Sequence, residues 1–265
     1  MNKISVIMGA YNCGKYIDEA IESIRKQTVA DYDFIICEDG SKDSTLDKLR
    51  LWANRDSRIK LIVNESNHGL AYSLNRCLEE VNTEYVIRMD GDDISYPNRF
   101  EVMLKEIEGR PDYAVVGSGC ELFDEQGVWG RVCNTYDVAK EDAFFQHVPS
   151  HATVIMRTDA LRDVGGYDTS TDTARAEDYD LWCRFAEKGY RIISISDILY
   201  SVRWDRNNYY TRRPMKTKLA WARLVRKWSK RFNMGVEGSI HVVETYIKAF
   251  IPGWVKSIYH HYHLK

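Results

Sequence analysis

Three carboxylates occur within four positions immediately after a short apolar segment. Asp90, Asp92 and Asp93 follow residues 85–89, with Gly91 as the spacer. Carboxylates this close repel one another unless a cation lies among them. Mg²⁺ and Mn²⁺ take oxygen ligands, and Mg²⁺ usually takes only one or two from protein, which leaves positions for substrate phosphates. The spacing therefore indicates a metal–phosphate site. The alternative is an acidic turn that caps a helix beginning near residue 97.

The segments before this cluster alternate between strand and helix patterns. Short β-branched runs predict strands at 4–8, 32–37, 59–63 and 85–89, and helical spacing of apolar residues predicts helices at 16–27, 44–53 and 70–81. This alternating order predicts a parallel sheet covered by helices. Asp39 and the clustered carboxylates each follow the carboxyl end of a strand, so we expect them at one ligand-binding edge of the sheet.

Three common sites of such sheets are disfavoured because their motifs are missing. No glycine-rich dinucleotide fingerprint follows the first strand, and neither a P-loop nor a G-x-S-x-G nucleophile elbow occurs. A nucleotide bound here would therefore be held by acidic side chains and a metal.

The second half of the chain is predicted to add further elements. The patterns predict helices at 97–108, 137–145 and 176–188, a helical turn at 160–164, and strands at 113–123, 128–133, 150–157 and 191–202. The small polar residues at 169–175 indicate a mobile loop that would order over a bound donor as a lid.

Four short motifs follow one another along the chain. They are SVIMGAYN at 5–12, CEDGSKDST at 37–45, RMDGDD at 88–93 and EDYDLW at 177–182. Together they resemble family 2 glycosyltransferases of the GT-A fold, over about residues 3–205. The resemblance implies an α/β fold with a Rossmann-like, mostly parallel central sheet flanked by helices. It implies a glycosyltransferase domain at 1–205, with a nucleotide-binding half at 1–93 and an acceptor and catalytic half at 94–205. A basic amphipathic helical tail, the C-terminal appendage, would occupy 206–265.

The resemblance also implies an activity. It is the inverting, metal-dependent transfer of a hexose or N-acetylhexosamine from a UDP-sugar to a hydroxyl of a lipid-linked saccharide acceptor, in the synthesis of a cell-surface polysaccharide such as an O-antigen or capsule. Mn²⁺ or Mg²⁺ would neutralise the leaving diphosphate, and a carboxylate opposite it would take the acceptor proton. The alternative is a non-catalytic nucleotide-sugar-binding scaffold of the same fold, which the presence of Asp39, Asp92 and Asp178 argues against.

By position in the motifs, the resemblance assigns roles to matching residues. Those that would contact the uracil or ribose are Ala10, Tyr11, Asp39 and Asp90. Asp92 would be the metal ligand with Asp93 supporting it, and Asp178 would be the catalytic base. Asp178 also has a purely structural interpretation, because acids in the first turn of a helix stabilise its dipole.

Two positions depart from the family pattern, and two others are candidates on their chemistry alone. Glu38 stands where the family most often has aspartate, and Gly91 where alanine is common. His151 is a candidate contact to the metal or the diphosphate, and Arg203 a candidate contact to the diphosphate. The alternatives are a packed histidine and a solvated arginine.

Charge is distributed unevenly along the 265 residues. Residues 203–265 hold 14 Lys and Arg and 3 Asp and Glu, a net charge of +11, whereas residues 1–202 hold 23 and 36, a net charge of −13. Basic, aromatic and aliphatic residues at 212–231 and 240–262 predict amphipathic helices, interrupted near Pro252, that bind a membrane surface. The alternative is a helical pair packed on the catalytic domain or on a second copy of the chain, which leaves a homo-oligomer open. No nucleic-acid recognition motif accompanies this charge, so we expect no nucleic-acid partner.

The cellular setting follows from two features. The six cysteines form no C-x-x-C pair, which favours buried thiols in a reducing compartment. The N-terminal apolar run ends by Ala10, too early for a signal peptide, and no run approaches the roughly 20 apolar residues of a membrane span. We therefore expect a cytoplasmic protein, peripheral on the inner face of the cell membrane.

Overall fold

The first half of the chain folds as the predicted alternation of strands and helices. The computed structural model describes residues 2–173, 175–206 and 214–250. Its first elements are β1 (Ile4–Ala10), α1 (Ile17–Arg25), β2 (Tyr32–Glu38), α2 (Thr45–Arg55), β3 (Ile59–Val63), α3 (Leu70–Glu80) and β4 (Tyr85–Asp90). These strands lie in the order β3-β2-β1-β4, and each neighbouring pair is parallel. The predicted parallel arrangement is confirmed here.

The register of these strands places three loops side by side. Gly9 pairs with Cys37 of β2 and with Asp90 of β4, and Ala10 pairs with Glu38. The segments that follow β1, β2 and β4 therefore leave the sheet at one edge, as predicted. These strands are almost wholly buried because helices cover both faces of the sheet.

The second half of the chain extends the same sheet. Its elements are β5 (Ile94–Ser95), α4 (Arg99–Glu108), β6 (Tyr113–Asp124), β7 (Gly127–Val132), β8 (Tyr136–Val138), α5 (Lys140–Phe144), β9 (Ile155–Arg157), α6 (Thr158–Asp163), α7 (Glu177–Glu187) and β10 (Arg191–Arg203). The sheet continues as β4-β9-β6-β10-β5, with β9 antiparallel to both neighbours and β6 parallel to β10. One mixed sheet thus runs through both predicted halves, and a boundary near residue 93 stays a prediction.

Two predicted elements differ in the structure. Residues 137–145, predicted as a helix, form β8 and then α5, because the Asp142 carboxylate accepts the N–H of Ala139 at 2.9 Å and helps to start the helix there. The predicted strand at 150–157 begins instead with a 3-10 turn at His151–Thr153. In this turn the Ser150 carbonyl accepts hydrogen bonds from the backbone N–H and the hydroxyl of Thr153. Only Ile155–Arg157 pairs within the sheet.

Two hydrophobic clusters cover the two faces of the sheet. Alternate residues of β1 enter opposite clusters, Met8 one and Ile7 the other, as the two-residue period of a strand requires. Phe100 of α4 fills the first cluster and meets Tyr32 edge-on, with ring centroids 5.3 Å apart. Trp182 of α7 fills the second. The sheet thereby fixes α7, which carries the EDYDLW motif.

Two C-terminal helices pack on the second half of the chain. They are α8 (Met215–Arg231) and α9 (Gly235–Phe250). The apolar side of α8, including Leu224, Val225 and Trp228, is buried against α5 and α7, so this helix follows the packed alternative. Its predicted basic side is exposed at residues 223, 226, 227 and 230. The remainder of the predicted second helix, 251–262 with its Pro252 break, lies outside the described residues, as does 207–213. In the part that is described, no helix is long and apolar enough to cross a bilayer.

Candidate active site

Asp39, the residue after β2, is buried among the loops of the predicted nucleotide side. Its Oδ1 accepts hydrogen bonds from Asn64 Nδ2 (2.7 Å) and His68 N (3.0 Å), and its Oδ2 from Gly69 N (2.8 Å). Gly69 adopts a φ of 92°, a backbone conformation that glycine reaches freely and other residues reach only with strain. A carboxylate offers about four acceptor positions. Described residues take three of them, and the fourth suits a ligand donor such as an imide N–H.

Ala10 and Tyr11 follow β1 at the same edge. Ala10 is buried, and its carbonyl accepts the Asp39 N–H at 2.8 Å. The Ser41 hydroxyl accepts the N–H of Asn12 at 3.0 Å, which further joins the two loops. Tyr11 is 44% exposed. An exposed aromatic ring and a buried acceptor therefore lie on loops that are locked to each other, an arrangement that suits a planar base.

Two buried arginines support the acidic loop that follows β4. Arg88 interrupts this apolar strand, and its Nη2 donates to Asp90 Oδ1 at 2.6 Å. Arg99 of α4 donates to the Arg88 carbonyl at 2.9 Å and lies over the Tyr200 ring, 4.5 Å from its centroid. Burial lowers the pKa of Arg99 to about 10. Both guanidinium groups offset part of the negative charge of the loop.

Gly91 allows this loop to approach α1 closely. A Cβ at this position would lie 2.8 Å from Cys13 Sγ and 3.4 Å from Ile17 Cδ1. The buried Cys13 side chain therefore occupies the space that the methyl group of the family's common alanine would need.

Asp92 and Asp93 differ in exposure but share a shift in pKa. The Asp92 side chain is accessible at the edge, whereas Asp93 is buried and its Oδ1 accepts the Arg203 N–H at 2.8 Å. Loss of surrounding water raises the pKa of both carboxyls, and repulsion from Asp90 raises both further. A hydrogen bond from Tyr200 partly opposes the shift in the pKa of Asp93. The negative charge of the loop at 90–93 is therefore only partly compensated by the protein groups around it.

This excess charge fits a divalent cation held jointly with a substrate. Among residues 2–173, 175–206 and 214–250, no group of three or more His, Cys, Asp or Glu side chains is gathered closely enough to hold a metal. Mg²⁺ commonly takes one or two carboxylates and completes its shell with phosphate oxygens and water. Asp92 suits that role because it is accessible and because a bound cation would relieve its repulsion from Asp90.

Arg203, the predicted diphosphate contact, lies at the end of β10 and hydrogen-bonds to the acidic loop. Its guanidinium lies 4.2 Å from the Tyr16 ring centroid and 4.4 Å from that of Phe123. Its Nε donates to the Asp92 carbonyl at 2.9 Å, and it forms an ion pair with Glu19. The structure thus places Arg203 beside the loop with protein partners, and a contact to the diphosphate stays a prediction.

Asp178 lies in the first turn of α7, where its Oδ1 accepts the Tyr179 N–H at 2.8 Å. It lines a cleft of about 460 Å³ between α7, α8 and the segment before β9. The pKa of the preceding residue, Glu177, is raised by burial and also by the nearby charges of Asp178 and Asp90.

His151 lies in the cleft with Asp178 and is not gathered with Asp92 and Asp93 into a three-residue metal set. It is buried, and its Nε2 is 2.9 Å from the Tyr167 hydroxyl. Burial lowers the pKa of His151 well below its usual range, and the nearby Arg88 lowers it further. His151 is therefore packed on the wall of the cleft, and its contact to the metal or the diphosphate stays a prediction.

Several residues that shape the site were not predicted from the sequence. They are Arg88, Arg99, Tyr200, Glu177 and Trp221. Arg88 carried a usable signal, because a charged residue inside an apolar strand must be paired when it is buried. Tyr200 and Trp221 carried none, because aromatic residues in such segments usually belong to the core.

Comparisons with known proteins place the chain in a family. The model for "Glycosyl transferase family 2" matches residues 5–165. The chain is similar to the putative glycosyltransferase EpsE of Bacillus subtilis, with 39% identity over 261 residues that cover 97% of this chain and 93% of that protein. It is also similar to the UDP-Gal:alpha-D-GlcNAc-diphosphoundecaprenol beta-1,3-galactosyltransferase of Escherichia coli, with 30% identity over 77% of this chain and 75% of that protein.

Solved structures of other glycosyltransferases share the fold. S. aureus TarS 1-349 in complex with UDP-GlcNAc has a TM-score of 0.67 and 22% identity, covering 84% of this chain and 65% of that one. The mannosyltransferase PcManGT from Pyrobaculum calidifontis, in complex with GDP-Man and Mn²⁺, has a TM-score of 0.68 and 17% identity, covering 93% of this chain and 73% of that one. The expected GT-A fold is thereby confirmed. Because the family model covers most of the chain and a relative aligns along nearly all of it, the chain belongs to glycosyl transferase family 2.

Proposed function

We propose that this protein is an inverting, metal-dependent glycosyltransferase. It moves a hexose or N-acetylhexosamine from a UDP-sugar to a hydroxyl of a saccharide acceptor in cell-surface polysaccharide synthesis. The observation that carries the proposal is the placement of Asp39 and the acidic loop at 90–93 at one edge of the sheet, where Gly9 pairs with both Cys37 and Asp90. The name of the Escherichia coli relative and the bound UDP-GlcNAc of TarS support a UDP-sugar donor.

On the donor side, each loop of the sheet edge has a separate task. Tyr11 stacks on the uracil, and Asp39 accepts its imide N–H. Asp90, held by Arg88, lies beside the ribose. Asp92, with Asp93 behind it, would hold Mn²⁺ or Mg²⁺, an ion that supplies Lewis-acid neutralisation of the leaving diphosphate.

On the acceptor side, Asp178 is the base. Its carboxylate takes the proton from the acceptor hydroxyl as that oxygen attacks the anomeric carbon. The bond between the anomeric carbon and the diphosphate oxygen breaks, and UDP leaves with the electron pair. A single displacement on the face opposite the leaving group inverts the anomeric configuration.

Thermal-shift binding of UDP, GDP and dTDP, each with and without Mn²⁺, tests the proposal. We expect UDP with Mn²⁺ to raise Tm by about 5–10 °C at a hundredfold excess over Kd. UDP-sugar hydrolysis or transfer by the same preparation would complete the support. Binding without turnover would favour the non-catalytic scaffold. If no nucleotide raised Tm in the presence of Mn²⁺, the proposed donor site would be wrong.

We extend the proposal to a lipid-linked acceptor reached at a membrane surface. The name of the Escherichia coli relative specifies a diphosphoundecaprenol acceptor. Helix α9 bears an exposed apolar stripe with spacings of four and three residues, which places its members on one face. The stripe comprises Val236, Ile240, Val243, Ile247 and Phe250. The opposite side of α9, with Gly238, Thr245 and Ala249, is buried, so the stripe points away from the protein.

Charge favours a lipid surface as the partner of this stripe. Residues 215–250, which form α8, α9 and their connection, hold eight Lys and Arg and two Glu, a net charge of +6. Anionic headgroups attract such a segment while the apolar side chains enter the interface. Of the two segments predicted to bind a membrane, we therefore propose only α9, because the apolar face of α8 is buried in the protein.

Replacing Ile247 with glutamate is expected to weaken binding to phosphatidylglycerol vesicles about tenfold or more, because one buried aliphatic side chain contributes about 1.5–3 kcal/mol. Co-sedimentation with these vesicles measures the effect. Val128→Glu is the matched control, since Val128 is similarly exposed and lies on β7, outside the stripe. Unchanged vesicle binding would contradict the membrane role, and a dimer dissociated by Ile247→Glu would assign the stripe to a second copy.

A further inference from the structure

The cleft beside Asp178 has the chemistry of a sugar-binding site. We propose that it binds a ring of the saccharide acceptor and that Trp221 of the appended helix α8 is the aromatic platform for that ring. This inference rests on the proposed function. The volume of the cleft, about 460 Å³, lies within the usual range of small-ligand pockets. Gln146, Ser150 and Arg175 add hydrogen-bonding groups around the aromatic wall.

Trp221 is more exposed than the other tryptophans of α7 and α8. Trp182 and Trp228 are almost fully buried and serve the core. Trp221 is half-buried, lines the cleft, and meets the ring of Tyr179 with centroids 4.7 Å apart at 61°. Tyr179 packs against the indole, and the half-buried ring still lines the cleft. An aromatic ring there can pack against the apolar C–H groups of a sugar ring.

A buried anchor fixes Trp221 relative to the proposed base. Asp180, two residues after Asp178 on α7, is fully buried. Its Oδ1 accepts hydrogen bonds from Trp228 Nε1 (3.0 Å) and Lys227 Nζ (3.2 Å) of α8, and its Oδ2 accepts one from Arg184 Nε at 2.7 Å. The hydrogen-bonded carboxylate of Asp180 therefore fixes the position of α8 along α7. The appended helix becomes part of the acceptor site.

The charge of the cleft suits a neutral ligand. Asp178 and Arg175, which both line the cleft, carry opposite charges. A diphosphate would need an excess of positive charge, which these lining groups do not supply. A neutral ring rich in hydroxyls can both donate to and accept from Gln146, Ser150 and Asp178.

The backbone on two sides of the cleft is also unusual. Gln146 has a φ of 64° and Arg175 a φ of 61°, in the left-handed region that non-glycine residues seldom occupy. Such strained positions concentrate at ligand sites, where they aim a side chain that a relaxed backbone would turn away. Both residues line the cleft, one before β9 and one before α7.

Saturation-transfer NMR with methyl β-glycosides of glucose, galactose, N-acetylglucosamine and N-acetylgalactosamine tests the inference. We expect the ring protons of at least one glycoside to receive saturation from the wild type. Trp221→Leu keeps apolar bulk without an aromatic face and should weaken this binding about tenfold, which corresponds to about 1.4 kcal/mol. Trp221→Phe should retain most of it. Arg226→Ala, on the exposed side of α8, is the control and should match the wild type.

The outcomes separate this inference from the proposed function. A purely structural role for Trp221 predicts that the Leu and Phe variants behave alike, which would overturn the platform. Absence of saturation for all four glycosides in the wild type would overturn the acceptor cleft. The Mn²⁺-dependent shift with UDP should be unchanged in every variant, which also confirms folding. If the wild type lacks that shift, it is the proposed function that fails.

Discussion

Asp92→Asn is expected to abolish the Mn²⁺-dependent thermal shift with UDP and to lower sugar transfer by about three orders of magnitude. Neutralisation of the leaving diphosphate by a cation is worth several kcal/mol, and each 1.36 kcal/mol is a factor of ten in rate. Asparagine keeps the size of the side chain but removes the charge that attracts the ion. Transfer from a radiolabelled UDP-sugar and the Tm with UDP, each with and without Mn²⁺, measure the two effects.

The same substitution is expected not to destabilise the protein in the absence of metal. The pKa of Asp92 is raised in the folded state by lost hydration and by Asp90, so folding disfavours its ionised form. The contribution of this group to stability is therefore greatest when it is protonated. It falls as pH rises from the ordinary value of 3.8 through the raised folded value. At neutral pH the metal-free Tm of Asp92→Asn should equal or exceed that of the wild type.

Asp47→Asn provides the matched control, because Asp47 is 84% exposed on α2 and has only a weak contact to Arg50 at 4.0 Å. It should leave nucleotide binding and transfer unchanged and lower Tm only slightly, because an acid in the first turn of α2 contributes about 0.3–1 kcal/mol. If Asp92→Asn kept the Mn²⁺-dependent shift, the ion would be held elsewhere. If it instead lowered the metal-free Tm sharply, Asp92 would have a structural role in the loop.

The placement of the acidic residues at one edge followed from local sequence patterns. Asp39 and Asp90 each follow a short β-branched strand, and helical segments of suitable length separate these strands. Parallel pairing then places both carboxyl ends on the same side, whatever the details of packing. The motifs at 37–45 and 88–93 are thus brought together by topology alone, which is why this part of the fold and candidate site could be predicted.

Contacts across long sequence separations could not be predicted in the same way. Arg203 lies between Tyr16 and Phe123, which are 187 and 80 positions away. The amphipathic pattern predicted that α8 buries its apolar face, but it did not predict which surface covers that face. In the structure α8 packs on α7, where Trp228 donates a hydrogen bond to Asp180. The 3-10 turn at His151–Thr153 depends on a local hydrogen bond that competes with strand pairing, so periodicity missed it.

Asp178→Asn is expected to lower transfer by about 10²–10⁴-fold while UDP still binds with Mn²⁺. General-base catalysis contributes about that factor, and asparagine cannot accept the acceptor proton at neutral pH. The amide oxygen can still accept the Tyr179 N–H, so the helix start should be retained. Steady-state transfer at saturating donor and the Tm with UDP and Mn²⁺ measure the two properties separately.

The adjacent Glu177 makes this prediction demanding, because either carboxylate at the N-terminus of α7 is a candidate base on position alone. Burial raises the pKa of Glu177, and the charges of Asp178 and Asp90 raise it further. Only Asp178 lines the cleft in which the acceptor is proposed to bind. Glu177→Gln should therefore retain far more activity than Asp178→Asn, and the exposed-site control Asp47→Asn should retain all of it. A reversed order would make Glu177 the base. If both α7 variants instead showed equally small losses of activity and a lower Tm, neither residue would be the base. Both would then be acids that only stabilise the helix dipole, by about 0.3–1 kcal/mol each.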